Sequence, residues 1–197
     1  MPPEPPEHPA SLGRPSDPRP WRLHGSVEGP PLIVCRVRFD DLENPRTGAV
    51  LRRTVLETPD WVNVVAFTPE RRLVVVRQYR FGSRTVTTEI PGGVIDAGEG
   101  SEEAARRELR EETGYTSERW RYLGAVEPNP AFQDNLCHHW LAEEARPTAA
   151  LALDPGEDIA VDTLGPEELR AAVRAGEIRH SLVLCALARL PELQLFA

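Results

Sequence analysis

Apolar positions along the chain fall in short blocks separated by turn-forming residues, and the period within each block predicts its element. Leu32 to Phe39 alternates in part and predicts a strand, Asp40 to Gly48 a turn, and Ala49 to Leu56 a second strand closing a hairpin. Trp61 to Phe67 and Arg72 to Tyr79 follow, separated by Thr68, Pro69 and Glu70, as expected of adjacent strands joined by a tight turn. Glu89 to Gly100 reads as a glycine-bearing loop. A punctuated helix comes next: Ser101 can cap it, Glu102 and Glu103 sit in the first turn where the helix dipole favours anions, and Gly114 supplies the left-handed residue that ends it. Trp120 to Val126 and Leu136 to Ala142 predict two more strands, flanking a loop from Glu127 to Asn135. Pro166 opens a helix that reaches Arg174, and Ile178 to Leu190 predicts an apolar second one. Strands, a central helix, further strands and closing helices together predict an α/β fold in which helices cover both faces of a mixed sheet.

The first 20 residues are mostly Pro, Glu, Ser and Arg, which cannot bury enough apolar surface to offset ordering, so residues 1–20 are expected to form a disordered tail. Strands over 21–56 and a main domain over 57–197 complete the expected organisation. At 197 residues the chain is long enough for one well-buried core, and 40% hydrophobic with 27% charged residues is ordinary globular usage. A net charge of -8 argues against nucleic acid as the main partner, because neutralising a phosphate backbone needs a basic face. Every cation of the side chains is Arg, with no Lys in the sequence. Cys35, Cys137 and Cys185 are scattered, without metal-type pairs or an even count, which fits a reducing cytoplasm. No apolar stretch approaches the roughly 20 residues of a membrane span.

The chemistry concentrates on the central helix. At 3.6 residues per turn, Glu108, Glu111 and Glu112 fall within roughly 100° of its surface. Like charges so spaced repel by a few tenths of a kcal/mol per pair unless a cation lies between them. Magnesium is the natural cation, with manganese as the alternative ion: a hard divalent ion takes carboxylate oxygens and completes its shell with water and substrate phosphate. Ala104 and Ala105 occupy the same sector one turn earlier and allow close approach to a neighbouring surface, while Arg106, Arg107 and Arg110 are directed away from it. A solvated, salt-bridged helix face is the competing structural reading of this charge run.

Gly93, Glu99, Arg107, Glu108, Leu109, Glu111, Glu112, Gly114 and Tyr115 match without departure the signature of the Nudix hydrolase family, which the chain therefore resembles. The resemblance implies an α/β/α sandwich and attack of water on a nucleoside diphosphate linked to a further group. It implies that Glu108, Glu111 and Glu112 bind metal with the main-chain carbonyl of Gly92, and that Arg107 and Glu99 orient the ligand helix and loop. A guanidinium fork beside a carboxylate cluster suits that part, since it fixes geometry and moderates repulsion. Metals there would neutralise pyrophosphate oxygens and acidify a bound water. The general base could be Glu108; in the ADP-ribose pyrophosphatase branch it is a later loop Glu, and Glu157 in the segment Asp154 to Ile159 is the matching choice.

Further features are similar to the ADP-ribose and nucleotide-sugar pyrophosphatases. Pro130 stands at their characteristic proline, Arg77 to Arg80 reads Arg-Gln-Tyr-Arg before the loop, and Arg52 with Glu57 resembles their base-binding pair. Arg80 can grip phosphate or ribose oxygens with two donors, and Trp61 can stack a nucleobase. The loop Asn129 to Asn135 departs from the Ser-Pro-Gly type of many ADP-ribose enzymes, and its amide and carboxylate groups suit sugar hydroxyls, which keeps a hexose open. His138 and His139 face opposite sides of a strand, so at most one meets the site. The N-terminal hairpin resembles the segment through which these relatives form homodimers. The expected function is thus magnesium-dependent cleavage of a nucleoside diphosphate sugar or ADP-ribose to a nucleoside monophosphate and a sugar phosphate. A house-cleaning nucleoside triphosphatase and a non-catalytic ligand-sensing domain are the alternatives.

Overall fold

In the computed structural model, which describes residues 17–193 and Leu195, two three-stranded sheets lie between helices, and a third sheet projects from the N-terminal side. Most of the tail expected over residues 1–20 lies outside the described residues; residues 17–20 are exposed and irregular.

The projecting sheet is antiparallel, β1 (Arg22–Glu28), β2 (Arg36–Glu43) and β3 (Val50–Glu57) in that order. Two expectations are corrected here. The first strand of the expected hairpin begins at Arg36 rather than Leu32, because Pro30 and Pro31 have no N–H to give a ladder and Leu32 N–H closes a turn onto the Cys35 carbonyl (3.1 Å). Asp40, expected in the turn, is a buried strand residue whose carboxylate takes hydrogen bonds from Ser26 Oγ (2.7 Å) and Arg38 Nε (3.0 Å). Strand β1 escaped prediction, for all seven of its residues are exposed and no core imposes a period on them.

Strands β4 (Trp61–Ala66) and β5 (Leu73–Arg80) follow each other across a tight turn but are not ladder partners, again a correction. β5 is the centre of one sheet, between β6 (Thr85–Glu89) and β11 (Ile159–Leu164). β4 pairs in parallel with β9 (Cys137–Glu143), which pairs antiparallel with β8 (Arg119–Val126), so the second sheet is mixed as expected. A short pair, β7 (Tyr115–Thr116) and β10 (Arg146–Pro147), completes the strands. The sequence leaves β6, β11 and these two short strands unmarked: β6 is brief and rich in Thr, and β11, although apolar at four of its six residues, buries only Ile159.

Helix α1 (Ser101–Thr113) covers one face, and α2 (Pro166–Arg174) with α3 (Ser181–Ala188) covers the other. Val62, Val64, Ala66 and Val74 meet Ala104, Ala105 and Leu109 of α1; Val65, Leu73, Val75 and Leu141 meet Leu169, Ala172, Val183 and Leu187 of the other pair. This is the expected α/β/α sandwich. The cap of α1 is Gly100, not Ser101: Glu103 Oε2 turns back to accept from Gly100 N–H (3.0 Å), so no Ser side chain is needed. Gly114 does end the helix, at a φ of 71° that a side chain would strain. α3 is shorter than the span from Ile178 to Leu190, whose two ends are buried in flanking turns. Among the described residues no helix is long and apolar enough to cross a membrane.

Candidate active site

The segment after β6 is zipped to the edge of β4: Val62 N–H donates to Gly93 O (2.9 Å), Gly93 N–H to Val62 O (3.1 Å) and Val64 N–H to Pro91 O (2.8 Å). Ala104 and Ala105, fully buried, let α1 settle close against the same sheet. These two placements bring the glycine pair against the carboxylates. A Cβ on Gly93 would stand 2.4 Å from Glu108 Oε1, so a side chain there must push that carboxyl aside. Gly92 N–H donates to Glu112 Oε2 (2.9 Å).

Arg107 binds this corner together. Its Nε and Nη2 both meet the Glu99 carboxylate at 2.9 Å, Nη2 also donates to Val94 O (3.0 Å), and Nη1 donates to Glu108 Oε1 (2.7 Å). Glu111 lies 3.5 Å from Arg107 Nη1 and accepts from Arg110 Nη2 at 2.9 Å. The expectation that Arg107 and Arg110 are directed away is corrected, because a long side chain starting outside the sector reaches back to the charge. Arg107 is thereby held firmly protonated by Glu99, despite partial burial, with Glu108 adding to the effect.

Glu108 and Glu112 are buried, at 9% and 3% exposure. Burial pushes the Glu112 carboxyl up to about 8, with the charges of Glu108 and Glu157 adding to the rise. Burial likewise raises Glu108, even with Arg107 beside it. Two ionisable oxygen donors thus share a site short of positive charge, which is the donor chemistry a hard divalent cation satisfies. Among the described residues no three such side chains are already gathered closely enough to enclose an ion. Arg107 and Arg110 hold Glu111, and the Gly92 amide holds Glu112.

Glu157 sits on the turn before β11, where its own Oε2 accepts from Asp154 N–H (2.9 Å). Its charge is felt by Glu108, Glu112 and Arg80, so the turn faces the cluster. Beside the corner opens a cavity of about 570 Å³, lined among others by Trp61, Asn63, Arg80, Glu89, Gly92 and Gly93. Arg80 forks onto Glu89, with Nε to Oε1 at 2.8 Å and Nη2 to Oε2 at 2.7 Å. Against the opposing effect of burial, the hydrogen bonds from Arg80 and Thr87 hold the Glu89 carboxyl below its ordinary value.

Other sequence candidates lie apart. Arg52 pairs with Asp41 (2.8 Å) and Glu57 with Arg38, and neither Arg52 nor Glu57 lines the cavity. Pro130 is exposed, and its loop reaches β3, where Leu56 N–H donates to Phe132 O (2.7 Å). The two histidines do face opposite ways. His138 lies between Tyr122 Oη (2.9 Å) and Asp60 Oδ2 (3.4 Å), whereas His139 is fully buried and burial lowers it to about 4. Asn63, Glu89, Arg179 and His180 line the cavity without having been singled out in the sequence. Asn63 left one signal, a lone amide in the apolar run Trp61 to Phe67.

A family model described as the NUDIX domain matches residues 58–184, the span that builds this corner and both sheets. The chain belongs to the Nudix family of hydrolases. The "Methanol dehydrogenase activator" of Bacillus methanolicus is 32% identical over 154 residues, covering 78% of this chain and 83% of that protein. An "ADP-ribose pyrophosphatase" of Bacillus subtilis is 38% identical over 111 residues, 56% of this chain and 60% of that one. A solved structure described as an ADP compounds hydrolase has the same Nudix fold, with a TM-score of 0.78 at 20% identity over 89% of this chain and 95% of that chain. Nudix hydrolases generally use divalent metal ions, and the acidic face of α1 offers this chain's donors for one.

Proposed function

We propose that the chain is a magnesium-dependent pyrophosphohydrolase that cleaves a nucleoside diphosphate sugar or ADP-ribose into a nucleoside monophosphate and a sugar phosphate. The observation that carries this reading is the contact of Gly92 and Gly93 with Glu112 and Glu108, the two glycines also lining a cavity with Arg80 and Trp61. Relatives named ADP-ribose pyrophosphatase support the branch.

In this reading Glu108, Glu111, Glu112 and the Gly92 carbonyl hold the metal. Bound there, magnesium supplies charge neutralisation at the pyrophosphate and a water acidic enough to lose its proton near neutral pH. The protein's own groups do the rest. Arg107 keeps Glu108 and Glu99 in place, Arg80 faces phosphate oxygens, and Glu157, in the turn facing the carboxylates, accepts the proton from the attacking water. Trp61 offers a flat apolar wall to the substrate. The decisive test is a panel of ADP-ribose, ADP-glucose, GDP-mannose, UDP-glucose and a nucleoside triphosphate, with magnesium or manganese and product detection. Turnover of a diphosphate sugar with release of a nucleoside monophosphate is expected; turnover of the triphosphate alone would overturn the reading.

The projecting sheet favours a homodimer. β1 buries none of its residues within the chain, and Leu23, Val27 and Val50 of this sheet leave more than half of their surface exposed. Apolar side chains on an exposed edge sheet invite pairing with another copy. Light scattering after size exclusion is expected to give twice the 21.9 kDa chain mass; a monomer at micromolar concentration would end this part of the proposal.

A further inference from the structure

We infer that the cavity wall made by Asn63, Arg179 and His180 is the subsite for the sugar phosphate half of the substrate. The inference rests on the pyrophosphatase reading for its chemistry, but the wall itself is read from unsatisfied groups. Asn63 Nδ2 and His180 Nδ1 are enclosed and have no hydrogen-bond partner. Both residues line the same cavity beside Gly92. Enclosed polar atoms without partners each cost about 1–3 kcal/mol, so both side chains gain by turning these atoms toward a cavity ligand rich in hydroxyl or phosphoryl oxygens.

Arg179 supplies the charge. Its Nη2 donates to Thr85 Oγ1 (2.8 Å), which in turn meets Ser83 Oγ (2.9 Å), so the guanidinium is anchored to the start of β6 without a carboxylate. Among the described residues it has no ion-pair partner, unlike Arg80, whose fork is taken up by Glu89. An anchored, uncompensated guanidinium at a cavity wall selects an anion or a hydroxyl-rich group.

Position decides which half of the substrate lies here. Asn63 Oδ1 stands 2.7 Å from where a Cβ on Gly92 would lie, so the amide borders the carbonyl assigned to the metal. A group seated on Asn63 is therefore next to the bridging phosphates. Within the cavity Trp61 is the large flat face, while Asn63, Arg179 and His180 present hydrogen-bond donors and acceptors, which match hydroxyls and phosphoryl oxygens more closely than the face of a base. Sugar hydroxyls and the oxygens of the adjoining phosphate match that mixture of donors.

The test uses the full chain with magnesium and two probes, ribose 5-phosphate for the sugar half and ADP for the nucleoside half, measured by calorimetry. Arg179→Ala, at an exposed position, is expected to weaken ribose 5-phosphate about tenfold, the loss of one charge-assisted hydrogen bond, while ADP changes by less than about twofold. Asn63→Ala should act in the same direction, and with ADP-ribose as substrate both should raise KM more than they lower kcat. Unchanged ribose 5-phosphate affinity in the variants, an equal loss for ADP, or no ribose 5-phosphate binding to the unsubstituted protein would overturn the assignment. Turnover of nucleotide sugars with any of those results leaves the pyrophosphatase reading standing. Conversely, ribose 5-phosphate binding that depends on Arg179 in a protein without such turnover keeps the subsite and removes the reading.

Discussion

Glu112→Gln is expected to lower magnesium-dependent turnover by roughly a thousandfold, about 4 kcal/mol of transition-state stabilisation, while the protein melts no lower than before. The amide is the same shape as the carboxyl and can still accept from Gly92 N–H, the 2.9 Å contact that Glu112 makes now. It also removes an ionisable group that burial drives toward its neutral form, up to about 8, so the metal-free fold has nothing to lose. What disappears is an anionic donor next to Glu108. Initial rates across a magnesium titration, with melting curves on the same samples, check both halves. Activity within tenfold of the parent would remove Glu112 from the metal site; a collapsed melting temperature would make its role structural.

Gly92→Ala should cost about 3 kcal/mol of stability, a drop in melting temperature of roughly 10 °C. A Cβ there would sit 2.2 Å from Val62 O and 3.0 Å from Asn63 Cα, and neither atom belongs to a flexible end that can swing aside. The ladder joining Gly93 to Val62 must open to admit it. Gly93→Ala makes a useful contrast, because the three atoms nearest its Cβ all belong to the Glu108 carboxyl, at 2.4, 2.6 and 2.9 Å. That substitution displaces the Glu108 carboxyl, a metal ligand in the proposed mechanism, rather than backbone, so activity should fall further than stability. Chemical denaturation of the two variants separates the cases. Equal stability of Gly92→Ala and the parent would mean that the close approach is not what holds this loop.

The central helix was legible because its evidence is local. Gly114, the first-turn acids, the small pair Ala104 and Ala105 and the three glutamates all lie within one helical span, where spacing translates directly into direction. α2 was equally readable from Pro166 to Arg174, since a proline opening and an apolar stripe mark it at both ends. Strands were harder. β4 shows its apolar run plainly, yet its parallel partner β9 lies more than 70 residues away, and nothing in either segment states the pairing. Helical angle directs the start of the Arg107 side chain away from the carboxylates, but that angle locates a Cβ, not the end of a guanidinium several bonds further out.

By itself the sequence determined the chemical elements of this protein: a helix bearing Glu108, Glu111 and Glu112, a glycine pair before it, and strands enough for a sheet with two covered faces. Those follow from spacing and residue type, which act over a few residues. Only the tertiary structure decided that Gly93 touches Glu108, that Arg107 ties Glu99 to the cluster, and that Asn63, Arg179 and His180 meet in one cavity. Such contacts join segments distant along the chain, and burial and charge at a point in space depend on all of those segments at once.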